Sequence, residues 1–263
     1  MNYTVEDIAG YMVDTLGVQA CAADVVARIR SEQHAGTVGQ CRWLACMNPH
    51  SYAVALSDAP FSRALHAADW LIPDGSGIVF ASYLLGGNIR QRITGSDIFY
   101  ALHANANELG GLSVFFLGST PDCLEDIRVK MERDYPKVHF AGSYSPPFKQ
   151  DYSGDELDAM VAAINQARPD ILWVGMTAPK QEKWIHQNLH RLDVRFAAAI
   201  GAVFDFYTGR VIRSHPIFQR LGLEWLPRLV QEPRRLWRRM FISAPIFMWH
   251  VVRARLRSLV KRG

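Results

Sequence analysis

The sequence has few of the features that mark secreted, metal-binding or membrane-spanning proteins. Only four of its 263 residues are cysteine, and none lies in a Cys-x-x-Cys pair or a Cys/His spacing typical of a metal site. No stretch reaches the roughly 18–20 apolar residues that cross a bilayer, because the longest, 240–252, is short and contains Pro245. Residues 1–18 lack a basic start followed by an apolar run, so we expect no signal peptide. The cysteines therefore predict reduced core residues of a cytosolic protein.

Several catalytic motifs are absent as well. The chain contains no Asp-x-Asp, His-x-His or Glu-x-x-His pattern, so the sequence supports no dedicated site for a divalent metal. It also lacks a GxxxxGK[ST] phosphate loop and any spacing that suggests a Ser-His-Asp triad. Without a metal, arginine side chains would have to neutralise the charge of any diphosphate that the protein binds.

Basic residues are concentrated at the C-terminal end of the chain. From Phe206 to Gly263 there are 13 Lys and Arg against 2 Asp and Glu, a net charge of +11, whereas residues 1–205 carry 16 and 23, a net charge of −7. Tryptophan, phenylalanine and leucine alternate with these arginines at helical spacing, which favours an interfacial helix on anionic lipid over nucleic acid. A helix packed on the protein itself is the remaining alternative. We predict that 206–263 is a basic amphipathic appendage that associates with an anionic membrane surface and binds no nucleic acid.

Predicted strands alternate with predicted helices through most of residues 1–205. Short apolar runs such as 112–117, 171–174 and 196–200 predict buried strands, and each ends at or near a glycine. This alternation predicts an α/β fold with a mostly parallel sheet in Rossmann-like halves, covered by helices on both faces. The predicted catalytic core is 1–205, with a nucleotide-binding half at about 110–205.

Ligands of such sheets bind beyond the carboxyl ends of the strands. Small residues in those loops let backbone N–H groups approach a phosphate, although most glycines at such positions only form turns. Asp74 follows a predicted strand and precedes Gly75, so it is either part of a Pro-Asp-Gly turn or a general base. Arg92 is either a diphosphate ligand or the partner of Asp97 in a surface ion pair.

An ordered series of short motifs gives the chain a specific family resemblance. The chain resembles the WecG/TagA/CpsF glycosyltransferases, also called glycosyltransferase family 26, over roughly residues 40–240. The motifs that carry this resemblance are Asn48-Pro49, the stretch from Ala68-Asp69 to Asp74-Gly75, 92–97 (RITGSD), Phe116-Leu117-Gly118, Gly175 with 179–182 (PKQE), 201–205, 222–226 (GLEWL) with Arg228-Leu229, and 232–235 (EPRR).

The resemblance implies an enzyme with a membrane-linked substrate. Members transfer a sugar from a UDP-sugar to a polyprenyl-pyrophosphate-linked saccharide, with inversion and without a metal or cofactor, in cell-envelope or exopolysaccharide biosynthesis. The expected location is the cytoplasmic face of the inner membrane, as a peripheral protein. N-acetylmannosamine, its uronate and glucose all stay open as the donor sugar, and so do the acceptor saccharide and the oligomeric state, a homo-oligomer included. The alternative is a non-catalytic membrane scaffold that binds nucleotide sugars.

The resemblance also assigns roles to individual residues. It implies that Asp74 is the catalytic base, that Asn48 lies near the acceptor and that Arg92 contacts the diphosphate. Gln181 is expected to face the donor sugar or its diphosphate. Many members have Thr where this chain has Cys46, so that contact is not carried over. The remaining expected substrate-binding residues are Thr94, Asp97, Gly118, Gly175, Lys180, Gly201, Asp205, Arg228, Arg234 and Arg235.

Overall fold

A computed structural model of the protein describes residues 5–36, 39–211 and 237–260. Strands and helices alternate along most of this chain. In chain order they are β1 (Val5–Ile8), β2 (Tyr11–Asp14), α1 (Val18–His34), β3 (Arg42–Met47), α2 (Pro49–Ala55), α3 (Ala59–Ala67), β4 (Trp70–Pro73), α4 (Ser76–Leu85), α5 (Gly95–Leu109), β5 (Leu112–Gly118), α6 (Pro121–Asp134), β6 (Val138–Tyr144), α7 (Gly154–Ala167), β7 (Ile171–Gly175), α8 (Lys180–Asn188), a 3-10 turn (Leu189–Arg191), β8 (Phe196–Ala199), α9 (Val203–Thr208), a π-helical turn (Arg239–Ser243) and α10 (Ala244–Val260).

Six strands form a parallel sheet in the order β4-β3-β8-β7-β5-β6, and β1 pairs with β2 in a separate antiparallel hairpin. The predicted α/β class with a mostly parallel sheet, and with a helix at the C-terminal end, is therefore confirmed. The chain divides into two compact units. The larger unit comprises 17–45 and 95–211, and the smaller unit comprises the described residues of 1–16, 46–94 and 212–263.

The larger unit contains the strands β5 to β8 and most of β3. Its strands are apolar on both faces, as in Ile171–Gly175, because helices cover both sides of a parallel sheet. Trp173 and Phe99 are fully buried there, beside the imidazole of His103. Burial lowers the pKa of His103 to about 3, so the ring is neutral, and its Nε2 accepts a hydrogen bond of 3.2 Å from the indole of Trp173. This histidine belongs to the core and has no sign of a catalytic role.

The smaller unit holds the hairpin, α2 to α4, β4 and α10. Glu6 of β1 accepts hydrogen bonds from Ser82 Oγ, at 2.7 Å, and from the backbone N–H of Asn88. Tyr52 of α2 packs against Phe247 and His250 of α10, with ring centroids 5.1 and 5.5 Å apart. The described C-terminal segment therefore packs against α2 within this unit. Among the described residues, no helix is both long enough and apolar enough to cross a membrane.

Candidate functional site

Asp74 lies directly after β4, where the strand turns into α4. Its backbone N–H donates to Met47 O at 2.8 Å, which ties it to the end of β3. Gly75, the next residue, has a φ of +93°, a conformation that residues with a Cβ rarely adopt. The Pro-Asp-Gly sequence therefore does form a turn. That turn leaves the partly exposed carboxylate of Asp74 at the carboxyl edge of the sheet.

Asn48 follows β3 and fixes the neighbourhood of Asp74 in two ways. Its Oδ1 accepts hydrogen bonds from the backbone N–H groups of His50 (3.0 Å) and Ser51 (2.9 Å), so it caps the N-terminus of α2. Its Nδ2 donates to Asp74 Oδ2 at 3.2 Å. Because Asn48 Oδ1 accepts both capping hydrogen bonds, the side-chain nitrogen of Asn48 is the atom that faces the carboxylate of Asp74. Asn48 thus orients Asp74. The family resemblance places Asn48 near the acceptor, but this orienting role was not predicted.

Two further contacts hold this corner of the smaller unit. A Cβ on Gly77 would lie 2.5 Å from Pro49 Cγ, so only glycine allows α4 to approach the start of α2 this closely. His50 Nδ1 lies 2.9 Å from Ser243 Oγ in the π-helical turn before α10. The C-terminal segment therefore contacts the residue two positions after Asn48. This contact of His50 could not be predicted from the sequence, since its partner lies 193 positions away.

Arg92 and Thr94 belong to the same unit as Asp74. The backbone N–H of Ile93, between them, donates to Pro73 O at 2.8 Å, which holds this segment against the end of β4. Both side chains are partly exposed. Asp97, the third residue of this predicted group, lies in the first turn of α5 and is counted with the larger unit.

The predicted glycines of the larger unit lie at adjacent strand ends. Gly118 of β5 pairs in register with Gly175 of β7, and a Cβ on Gly118 would lie 2.5 Å from the carbonyl oxygen of Gly175. A Cβ on Gly175 would in turn lie 2.4 Å from Cε2 of Phe204. Close packing therefore requires both glycines.

The first turn of α8 carries the motif residues Lys180 and Gln181. Lys180 Nζ donates to the carbonyl oxygen of Lys149 and lies 3.9 Å from the ring centroid of Tyr152, so its amine is engaged by the loop before α7. Partial burial lowers its pKa. Gln181 is 4% exposed, and its Nε2 donates to Glu182 Oε1 at 2.9 Å.

Glu182 completes the 179–182 motif, but no role was predicted for it from the sequence. It is 3% exposed, and burial raises its pKa from the ordinary value of 4.5 to about 7, although the hydrogen bond from Gln181 opposes this. A carboxyl group that titrates near neutral pH is typical of functional sites. Gly201, after β8, has a φ of +49° and packs against the Gln181 amide, and Asp205 lies in the first turn of α9.

The predicted tail residues Arg228, Arg234 and Arg235 lie outside the described residues. In the described part of the tail, 237–260, there are five arginines and no acidic residue. Its exposed large apolar side chains are those of Trp237, Phe241, Ile242, Ile246, Trp249, Val252 and Leu256. In the parts of the chain that the structure describes, no three His, Cys, Asp or Glu side chains are grouped so that they could hold a metal ion.

Comparisons with known proteins support the resemblance. A sequence model of the glycosyl transferase WecG/TagA/CpsF family matches residues 6–261. An N-acetylglucosaminyldiphosphoundecaprenol N-acetyl-beta-D-mannosaminyltransferase of Bacillus spizizenii is 32% identical over 211 residues, which cover 80% of this chain and 79% of the relative. Enzymes of the same name from Bacillus subtilis and Staphylococcus aureus are 31% identical over 210 residues (80% and 78% covered) and 27% identical over 217 residues (81% and 80% covered). The chain therefore belongs to the glycosyl transferase WecG/TagA/CpsF family.

Proposed function

We propose that this protein is an inverting glycosyltransferase that moves a sugar from a UDP-sugar to a saccharide linked to polyprenyl diphosphate, with Asp74 as the catalytic base. The observation that carries the proposal is the arrangement of Asp74 at a strand end, with Asn48 donating to one of its carboxylate oxygens. That donor orients the carboxylate, and an oriented carboxylate within reach of the attacking hydroxyl is what a general base requires.

The reaction is a single displacement. The acceptor hydroxyl oxygen forms a bond to the anomeric carbon of the donor sugar as the bond from that carbon to the diphosphate oxygen breaks. UDP leaves with the electron pair, and Asp74 takes the proton of the attacking hydroxyl. One displacement inverts the anomeric configuration. Arg92, together with Arg228, Arg234 and Arg235 of the tail, is proposed to balance the charge of the departing UDP.

The donor is proposed to bind at the strand ends of the larger unit. The supporting features there are Gln181 and Gly201, with a buried amide beside a glycine of positive φ. The relatives' names favour an N-acetylmannosaminyl donor and an N-acetylglucosaminyl-diphosphoundecaprenol acceptor. We therefore propose UDP-N-acetylmannosamine as the first donor to test, with the uronate and glucose forms as comparisons.

The protein is further proposed to act as a peripheral protein on the cytoplasmic face of the inner membrane. Within the smaller unit, exposed Trp249, Ile246 and Leu256 follow helical spacing on α10, and Arg253 and Arg257 flank the last of them. Exposed apolar side chains with arginines beside them suit the headgroup region of an anionic bilayer. Flotation with phosphatidylglycerol vesicles should recover the wild type, and Trp249→Glu should reduce the recovery. Phe148→Glu, at an exposed aromatic residue of the larger unit, is the matched control.

The decisive experiment measures sugar transfer by wild type and Asp74→Asn. Wild type should convert a UDP-sugar and a polyprenyl-diphosphate-linked N-acetylglucosamine into product with inverted configuration. Asp74→Asn keeps the size of the side chain and one oxygen that can accept from Asn48, and it should reduce turnover by about 100-fold or more because the base is lost. Near-normal turnover in this variant would remove Asp74 from the role. A wild type that binds UDP-sugars but transfers none to any acceptor would favour the scaffold alternative.

A further inference from the structure

The side chains of Gln181 and Glu182 form a buried pair in the first turn of α8. Gln181 is 4% exposed and Glu182 is 3% exposed, so water has little access to either. The single hydrogen bond between them runs from Gln181 Nε2 to Glu182 Oε1, at 2.9 Å. When ionised, the Glu182 carboxylate only accepts hydrogen bonds, so it selects the nitrogen of the amide and turns the oxygen away.

The amide oxygen that this hydrogen bond turns away has no partner among the described residues. Gln181 Oε1 is buried without a hydrogen bond, and so is Glu182 Oε2. Leaving such a group unsatisfied is unfavourable, because the protein does not replace the hydrogen bond that the group makes with water in the unfolded chain. The Gln181 amide also lies against the α-carbon of Gly201, where a Cβ would be 3.5 Å from Oε1 and 3.6 Å from Nε2. A buried acceptor without a partner calls for an explanation, and a hydrogen bond from a bound ligand is one.

We propose that Glu182 is a positioning residue, which holds the Gln181 amide so that Oε1 accepts a hydrogen bond from an N–H or O–H group of the sugar-nucleotide donor. This inference rests on the proposed function, in which the strand ends of the larger unit bind that donor. It also limits which group of the donor Gln181 can contact. An amide oxygen repels the oxygens of a diphosphate, so Gln181 contacts a hydroxyl, an acetamido N–H or the uracil imide instead.

Donor affinity of single and double variants tests the coupling between the two residues. Dissociation constants for UDP, UDP-glucose and UDP-N-acetylmannosamine are measured by calorimetry for wild type, Gln181→Ala, Glu182→Met and the double variant. We expect Gln181→Ala and Glu182→Met each to weaken donor binding about 10-fold, and the double variant to bind no more weakly than Gln181→Ala. Glu182→Gln retains an acceptor oxygen for Gln181 Nε2, so it should restore affinity to within about 3-fold of wild type.

The three ligands identify the group that Gln181 contacts. An effect already present with UDP points to the uracil or ribose, an effect that appears with UDP-glucose points to a sugar hydroxyl, and an effect restricted to UDP-N-acetylmannosamine points to the acetamido N–H. In steady-state assays the variants should raise the KM for the donor more than they lower kcat. Glu132→Met, an exposed acid on α6, is the matched control and should leave both constants unchanged.

The outcomes separate this inference from the function on which it rests. If Gln181→Ala weakens donor binding but Glu182→Met does not, or if the two effects simply add, the positioning role is refuted and the proposed function stands. If wild type binds no UDP-sugar, or if Gln181→Ala leaves affinity unchanged, the donor site assigned to the larger unit is wrong and the positioning role falls with it. Thermal unfolding of each variant establishes that the folded protein is being compared.

Discussion

Replacing Glu182 by glutamine should stabilise the protein, and the gain should grow as pH rises. The folded protein holds the pKa of this carboxyl at about 7 because burial disfavours its charge, against an ordinary value of 4.5 in the unfolded chain. Below pH 4.5 both states are protonated and the group has no effect on stability. Between pH 4.5 and 7 the unfolded state loses its proton first, so the free energy of unfolding falls as pH rises. Above pH 7 both states are ionised and the loss is complete.

The magnitude follows from the interval between the two pKa values. At about 1.4 kcal/mol per pH unit, ionisation of Glu182 removes about 3 kcal/mol at pH 8 and less than about 1 kcal/mol at pH 5. Few other charges act on this carboxyl. Lys183 follows it on α8, and the adjacent 3-10 turn carries His190 and Arg191, the latter bonded to Asp158. β7 and β8 contribute no ionisable side chain.

Urea unfolding of wild type and Glu182→Gln at pH 5, 6, 7 and 8 measures this effect. The difference in unfolding free energy between the two proteins should increase by about 2–3 kcal/mol from pH 5 to pH 8. Glu132→Gln, an exposed acid on α6, is the control and should show no comparable pH-dependent gain. A difference that stays constant across this range would refute the argument, because it would mean that Glu182 ionises with an ordinary pKa in the folded protein.

Three other predictions concern the smaller unit and the reaction. Asn48→Ala should lose about 1 kcal/mol of stability with the helix cap, and it should also lower turnover about 10-fold or more because Asp74 loses its orienting donor. Asp58→Ala removes the cap of α3 and is the control, which should lower stability alone. Equal turnover in the two variants would contradict the orienting role. Gly77→Ala should cost about 1–3 kcal/mol in thermal unfolding, because its Cβ would meet Pro49 Cγ at 2.5 Å, while Gly154→Ala, with open space at its Cβ, should be tolerated. EDTA should leave sugar transfer unchanged, and strong inhibition that added Mg²⁺ or Mn²⁺ reverses would establish a metal requirement.

The regular part of the fold could be predicted because local pattern and tertiary context agree there. The strands predicted at 112–117 and 171–174 lie within β5 and β7, and the strand predicted at 196–200 contains β8. These strands are buried on both faces, so their sequences are continuous apolar runs. The same agreement placed Gly118 and Gly175 at strand ends. The packing that requires glycine there could not be predicted, because Gly118 meets the backbone of Gly175 and Gly175 meets the ring of Phe204, both later in the chain.

Two elements of the smaller unit were missed for different reasons. No helix was predicted directly after β3, but Asn48 and Pro49 are the N-cap and first helical residue of α2, a local signal that was present in the sequence. The hairpin of β1 and β2 was not expected at all. Its two strands have four residues each, and they turn through Ala9 and Gly10, both with positive φ, where Asn-Gly would have been the recognisable signal.

Glu182 shows why the chemistry of a site is harder to read from a sequence than its position. An acid in the first turn of a helix normally faces water and stabilises the helix dipole, and the sequence gives no reason to expect otherwise. Its burial depends on how α8 packs on β7 and β8, which no local pattern encodes. A buried acid with a raised pKa lowers stability near neutral pH, so a role in function would explain its presence. Glu182→Met separates the two properties, since removing the buried carboxyl should raise stability at pH 8 while donor affinity falls. If Glu182→Met instead loses both stability and donor affinity, Glu182 serves only to stabilise α8.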